Sequence, residues 1–272
     1  MKKFYSNSKD IKMKYFEFGM TSLYGKRNSS ILFIHGLGSS SERWLDIPFA
    51  LSRYYHTISV DLIGFGESDT PLDMEYSISD FTMYLLDFIG HVLPGCNNLI
   101  LVGHSLGGYI ACDLATKVDD QMKKIILIDS SGLLEKPTPL LSEYLLAAKY
   151  PTYSNVKDVF QKMTTLPFLV SDYFVHSFIE KMNKENAKYV FESTFRNSTT
   201  TQVSKFAFDI LNQKQTKIIW GDNDHVIPIQ YCRQFEELLP NASIEIMHGC
   251  GHAPFVERPA TVCEIIHSFV SG

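Results

Sequence analysis

Four short apolar runs punctuate the first half of the chain: SSILFIHG (Ser29–Gly36), YHTISVDLIG (Tyr55–Gly64), NNLILVGHS (Asn97–Ser105) and KKIILIDSSG (Lys123–Gly132). Each is rich in β-branched residues, nearly continuous, and closed by glycine or a polar residue, the pattern of strands buried on both faces. Between them lie longer stretches with helical character: Ser41–Arg53, Ser77–Val92, which opens on the capping-type SISD, and Leu106–Val118. Strand and helix in alternation predict a parallel sheet with crossover helices. Two alternating segments upstream, KKFYSNS and KMKYFEFG, predict an antiparallel edge added to that sheet.

After Gly132 the rhythm breaks. From Leu133 to about Lys205 there are proline-marked starts (Pro137, Pro139, Pro151, Pro167) and amphipathic stretches with no strand pattern, which predict a helical insertion. Aromatics recur through it, among them Tyr144, Phe160, Tyr173, Phe174, Phe178 and Phe191. Most pack the insertion onto the sheet domain, and a minority are available to line an apolar pocket. The strand–helix rhythm resumes with TKIIWGDND (Thr216–Asp224), a helix near Ile229–Leu239, SIEIMHG (Ser243–Gly249) and a final helix from about Pro254 to Val270.

Composition narrows what such a sheet can serve. The 272 residues are 45% hydrophobic and 13% aromatic, enough for one large core with a smaller layer inserted. A net charge of −5 offers no basic field for a phosphate backbone, so nucleic acid is not an expected partner. The start, MKKFYSNSKD, has no apolar stretch behind its lysines, and no run approaches the length of a membrane span, so a cytoplasmic, soluble chain is expected. The five cysteines (Cys96, Cys112, Cys232, Cys250, Cys263) are scattered without metal-ligand spacing and read as reduced thiols. Cys250, near a histidine in HGCGHAPF, is read as a small buried residue.

The sharpest chemical signal is LVGHSLGGYIA (Leu101–Ala111), where Ser105 has a glycine two places to either side at a strand-to-helix junction. Gly103 and Gly107 permit a very tight reversal there, with the serine strained and its hydroxyl pushed out above the sheet. The helix that follows aims its unpaired N-terminal amides at whatever the hydroxyl attacks. A serine hydroxyl is a weak nucleophile and needs a base, itself held by an acid. Of nine histidines, His56, His91, His176 and His267 lie in stretches without a motif, and His35 and His104 suit loop bracing. His225 directly follows an acid and His248 ends a strand, which leaves His252, in the loop GCGHAPFVERP between the last strand and the last helix. For the acid, WGDNDHVIP offers Asp224, preferred, and Asp222; Asp129, one strand earlier, is third.

Taken in order, HGLGSS, DLIGFGESD, GHSLGG, WGDNDHVIP and GHAPFVERP resemble the signature loops of the α/β-hydrolase superfamily. The resemblance spans about residues 30–132 and 206–272. It implies an α/β fold: a mostly parallel sheet of about eight strands flanked by helices, with a helical cap inserted after strand 6. The implied division is a core in two parts, 1–132 and 206–272, around a cap at 133–205. The family's order of nucleophile, acid and histidine falls on Ser105, Asp224 and His252. The resemblance also assigns the oxyanion hole to the backbone amides of Leu37 and Leu106, with Gly36 and Gly38 letting that loop approach the substrate and His104 supporting the elbow.

The expected reaction is hydrolysis of a small to medium carboxylic ester or thioester through an acyl-enzyme, on a small-molecule acyl substrate, with no metal or organic cofactor. The serine elbow counts against dehalogenases and epoxide hydrolases, which use aspartate, and the absence of HGGPG counts against iminopeptidases. An alternative is hydrolysis of a carbon–carbon bond in meta-cleavage-type diketones, for which Arg196 and Lys205 could recognise the acidic dienone. A reading of another class is a non-catalytic ligand-binding member of the same fold.

Overall fold

The computed structural model describes residues 1–7, 10–19, 29–44, 46–118 and 120–272. In chain order its elements are β1 (Lys2–Ser6), β2 (Lys12–Phe18), β3 (Ser30–Ile34), α1 (Asp46–Leu51), β4 (His56–Val60), α2 (Ile78–Val92), β5 (Leu99–His104), α3 (Leu106–Ala115) and β6 (Met122–Ile128). There follow α4 (Pro139–Lys149), α5 (Tyr153–Lys162), α6 (Asp172–Met182), α7 (Ala187–Thr199), α8 (Lys205–Leu211), β7 (Gln215–Gly221), α9 (Gln230–Leu238), β8 (Ser243–Met247), α10 (Pro254–Glu257) and α11 (Pro259–Ser271).

Among the described residues the strands form one eight-stranded sheet in the order β1-β2-β4-β3-β5-β6-β7-β8. The β1–β2 and β2–β4 pairs are antiparallel and every other pair is parallel, so the expected edge hairpin and parallel body are both present. Ser8, in the expected first edge strand, and Leu45, in the expected helix from Ser41 to Arg53, lie outside the described residues.

Alternate side chains of each central strand feed two different cores. Leu32, Ile34, Leu101, Ile125, Leu127, Ile218 and Trp220 face one side, with α2 and α3. Ile31, Phe33, Ile100, Val102, Ile126, Ile128 and Ile219 face the other, with α1 and α11. This is why the strands read as continuous apolar runs. Ser77 caps α2, its side chain accepting from the Asp80 amide while the Asp80 carboxylate takes the Ser77 N–H, as SISD predicts.

Two helices differ from expectation. Ser41–Arg53 divides into a short 3₁₀ turn, Ser41–Trp44, and α1, because Asp61 takes the Ser41 amide at 2.6 Å and Trp44 turns inward to stack on Phe255. The final helix breaks at Arg258 (φ −138°, ψ 63°), since the residue before Pro259 is driven out of the helical region.

Candidate active site

The loops that leave the carboxyl ends of β3, β5, β7 and β8 carry Gly36–Gly38, Ser105, Asp224 and His252 respectively. In a parallel sheet those ends lie on one rim, which is where open α/β sheets bind ligands. Gly36, Leu37, Gly38, His104, Ser105 and His252 all border one cavity of about 580 Å³ there.

Ser105 takes φ 53° and ψ −120°, a conformation that costs a residue with a side chain about 1–3 kcal/mol. Backbone bonds hold it: its N–H donates to Ile128 O at 3.0 Å, and its carbonyl accepts from the Gly108 and Ser131 amides at 2.9 and 3.0 Å. The two glycines answer the spacing of the motif. A Cβ on Gly103 would strike the Gly107 carbonyl, and one on Gly107 would strike the carbonyls of Ile34 and His35. Gly36 packs against His104 and the Ser105 Cβ, and Gly38 takes φ +68° under the Tyr144 hydroxyl. That hydroxyl donates to Leu37 O at 3.1 Å and steadies the loop. Outside regular helices and strands, neither the Leu37 nor the Leu106 N–H donates to a backbone acceptor among the described residues.

His252 meets Asp224 directly, Nδ1 to Oδ2 at 2.7 Å, with both side chains buried. The other Asp224 oxygen accepts from the Val226 and Ile227 amides at 2.7 and 3.0 Å, so the carboxylate is fixed on both sides. His252 is anchored through its backbone, the N–H donating to Met163 O at 2.9 Å and the carbonyl accepting from His104 Nε2 at 2.7 Å. With Nδ1 engaged by Asp224, Nε2 is the other ring nitrogen of His252; His252 borders the same cavity as Ser105, and among the described residues no hydrogen bond joins the two side chains.

The competing acid turns elsewhere. Asp222 binds the exposed His248 at 2.9 Å and the Gly249 amide at 2.7 Å. Asp129 is fully buried, and one of its oxygens accepts from the Gly221 amide at 2.9 Å. Burial, then the adjacent Asp224 charge, push its carboxyl well above the usual range, toward the protonated form. Asp129, Asp224 and His252 each place a possible ligand atom within 4.8 Å of the others, the one set among the described residues with metal-binding spacing.

His35 and His104 brace loops as expected. Burial pushes His35 down to about 4, so it is neutral, donating to Gly36 O at 2.8 Å and accepting from the Leu62 amide at 3.0 Å. Burial likewise holds His104 well below the usual histidine range. Cys250 is buried, and burial raises its thiol above the ordinary value, away from the thiolate form. Arg196 and Lys205 do not border the cavity.

A family model described as "Alpha/beta hydrolase family" matches residues 31–265. The chain belongs to the alpha/beta hydrolase family. This hydrolase is 28% identical over 245 residues to Lipase 3 of Moraxella sp. (strain TA144), covering 89% of the chain and 77% of that protein. It is 23% identical over 275 residues to a 2-hydroxy-6-oxo-6-(2'-aminophenyl)hexa-2,4-dienoic acid hydrolase of Metapseudomonas resinovorans, covering 97% and 89%. An esterase from Exiguobacterium antarcticum superimposes with a TM-score of 0.82 at 17% identity, covering 100% of both chains. Arg43, a charge beside Trp44 in the loop after HGLG, borders the cavity of the hydrolase and escaped the sequence reading, whereas Tyr144 was legible only as one of many aromatics available to line a pocket.

Proposed function

We propose that this alpha/beta hydrolase cleaves a small to medium carboxylic ester or thioester through an acyl-enzyme on Ser105. The 2.7 Å bond between His252 and Asp224, on the rim that also carries the strained Ser105, is the observation that supports the reading most. His252 takes the serine proton as the hydroxyl attacks the carbonyl, Asp224 holds the ring in the needed tautomer, and the Leu37 and Leu106 amides receive the oxyanion. His252 then protonates the leaving group, and water releases the acyl chain. Residues 133–205 act as the cap that shapes the pocket, contributing Leu141, Tyr144, Phe160 and Phe178 to its wall. Among the described residues no helix is long and apolar enough to cross a membrane. All five cysteines are free, which suits the reducing cytoplasm proposed as its compartment.

Ser105→Ala is expected to lower hydrolysis of chromogenic esters by on the order of a million-fold. It is also expected to abolish covalent labelling by a fluorophosphonate that wild type undergoes. Retention of either by the variant moves the nucleophile elsewhere. Absence of both in wild type favours a ligand-binding role.

Carbon–carbon hydrolysis is the second reading, and it rests on likeness to the dienoic acid hydrolase over 97% of the chain. Loss of a coloured ring-fission product at rates above those for simple esters would select it.

A further inference from the structure

Two long cationic side chains border the cavity, Arg43 and Lys181, and among the described residues neither has an ion-pair partner; Arg43 also has no side-chain hydrogen bond there, whereas Lys181 reaches Ser40 Oγ. Arg43 sits part-buried in the Ser41–Trp44 turn, and its guanidinium carbon lies 4.3 Å from the centroid of the Phe174 ring on α6. Such stacking uses the face of the guanidinium, whereas its five N–H donors lie in the plane. Among the described residues no hydrogen bond engages those donors, and Arg43 borders the cavity. Among the described residues no carboxylate lies within ion-pairing distance of Arg43, and burial keeps the phenol of Tyr144, on the same cavity wall, neutral.

The other charges on this wall are committed elsewhere. Glu42 reaches the buried Lys14 at 3.3 Å, and Glu257 takes the Gly251 and Thr165 amides at 2.8 and 3.2 Å. Lys181 is the other cation of the pocket and donates to Ser40 Oγ at 3.5 Å, and Asp46 is exposed. An arginine stays charged when buried, so an unpaired one in a largely apolar pocket carries a desolvation cost that an anion would offset. Arg43 borders the same cavity as Ser105 and His252.

We propose that Arg43 binds a carboxylate or phosphate carried by the substrate, so that the preferred ester or thioester has an apolar body and an acidic end. The inference rests on the hydrolytic reading above. Both anions present paired oxygens that match the in-plane fork of one guanidinium, and Leu141, Phe160, Met163 and Phe178 accommodate the rest of the molecule.

The test compares matched esters: para-nitrophenyl hydrogen glutarate with para-nitrophenyl pentanoate, and para-carboxyphenyl and para-phosphonooxyphenyl pentanoate with phenyl pentanoate. In wild type at least one acidic ester is expected to exceed its neutral partner in kcat/KM by on the order of 10–100-fold. That ratio is expected to fall towards one in Arg43→Met and to survive in part in Arg43→Lys; which acid gains identifies carboxylate or phosphate. A ratio is insensitive to partial misfolding, because both rates scale with the same folded enzyme. Ratios at or below one throughout, or a preference that persists in Arg43→Met, overturn the assignment. A binding arm is independent of turnover. Ser105→Ala titrated calorimetrically with monomethyl glutarate is expected to bind it, and adding Arg43→Met to abolish that binding; uptake no better than that of methyl pentanoate overturns the subsite whatever the esters do.

Discussion

Two acids two positions apart in DNDH offer the sequence no physical basis for ranking beyond their distance from the strand end. The backbone separates them. The turn after β7 brings the Val226 and Ile227 amides onto one Asp224 oxygen and His252 onto the other, while Asp222 points out to His248. Asp224→Asn is accordingly expected to lower kcat by about ten-thousand-fold, because it presents the wrong partner to the imidazole, whereas Asp222→Asn leaves kcat within about threefold. Steady-state kinetics of the two variants decide it; the reverse order moves the acid to Asp222. Asp129 yields a second expectation. Its carboxyl is raised by burial and by Asp224, so it binds its proton more tightly in the folded chain than in the unfolded one. Its contribution to stability is therefore complete below the unfolded value of about 3.9 and drains away as pH rises towards the folded value. Asparagine keeps an acceptor for the Gly221 amide and never ionises. Relative to wild type, Asp129→Asn should gain stability by up to about 1.4 kcal/mol per pH unit above pH ~4, measured by denaturant unfolding from pH 4.5 to 8. A variant that instead loses ground as pH rises would show that Asp129 is ionised in the fold.

Among elements, local chemistry was legible wherever the chain announces its own boundary. SISD became the reciprocal cap of α2, and Thr138, Thr152, Ser171 and Ser204, which the sequence reading did not single out, each accept one first-turn amide of α4, α5, α6 and α8. Ser77→Ala should cost about 1 kcal/mol and lower Tm by about 2 °C in a calorimetric scan, without altering the rate of ester hydrolysis per folded molecule. An unchanged Tm would mean that tertiary packing alone holds that end of α2. Where tertiary contacts decide, the sequence was silent. The division of Ser41–Arg53 depends on the Asp61 carboxylate, which lies 20 positions away from the amide it binds. The break at Arg258 could have been foreseen, because a proline follows it, but helical spacing runs straight through.

For the whole molecule, the alternation of buried strands and helices gave the sheet, and the motif loops gave its rim. What sequence spacing could not supply is which charges end up facing the same empty space. Arg196 and Lys205, plausible by position, stay outside the cavity, and Arg43, hidden in a serine-rich loop, enters it because Trp44 is buried and turns the short helix inward. The bond from His104 to the His252 carbonyl, made at 2.7 Å between residues 148 positions apart, has a mechanical corollary. It staples the elbow to the histidine loop, so thermal breathing carries Ser105 and His252 together. Any change in the cavity's volume then falls to the residues that α4, α5 and α6 contribute to its lining, among them Leu141, Tyr144, Phe160 and Phe178.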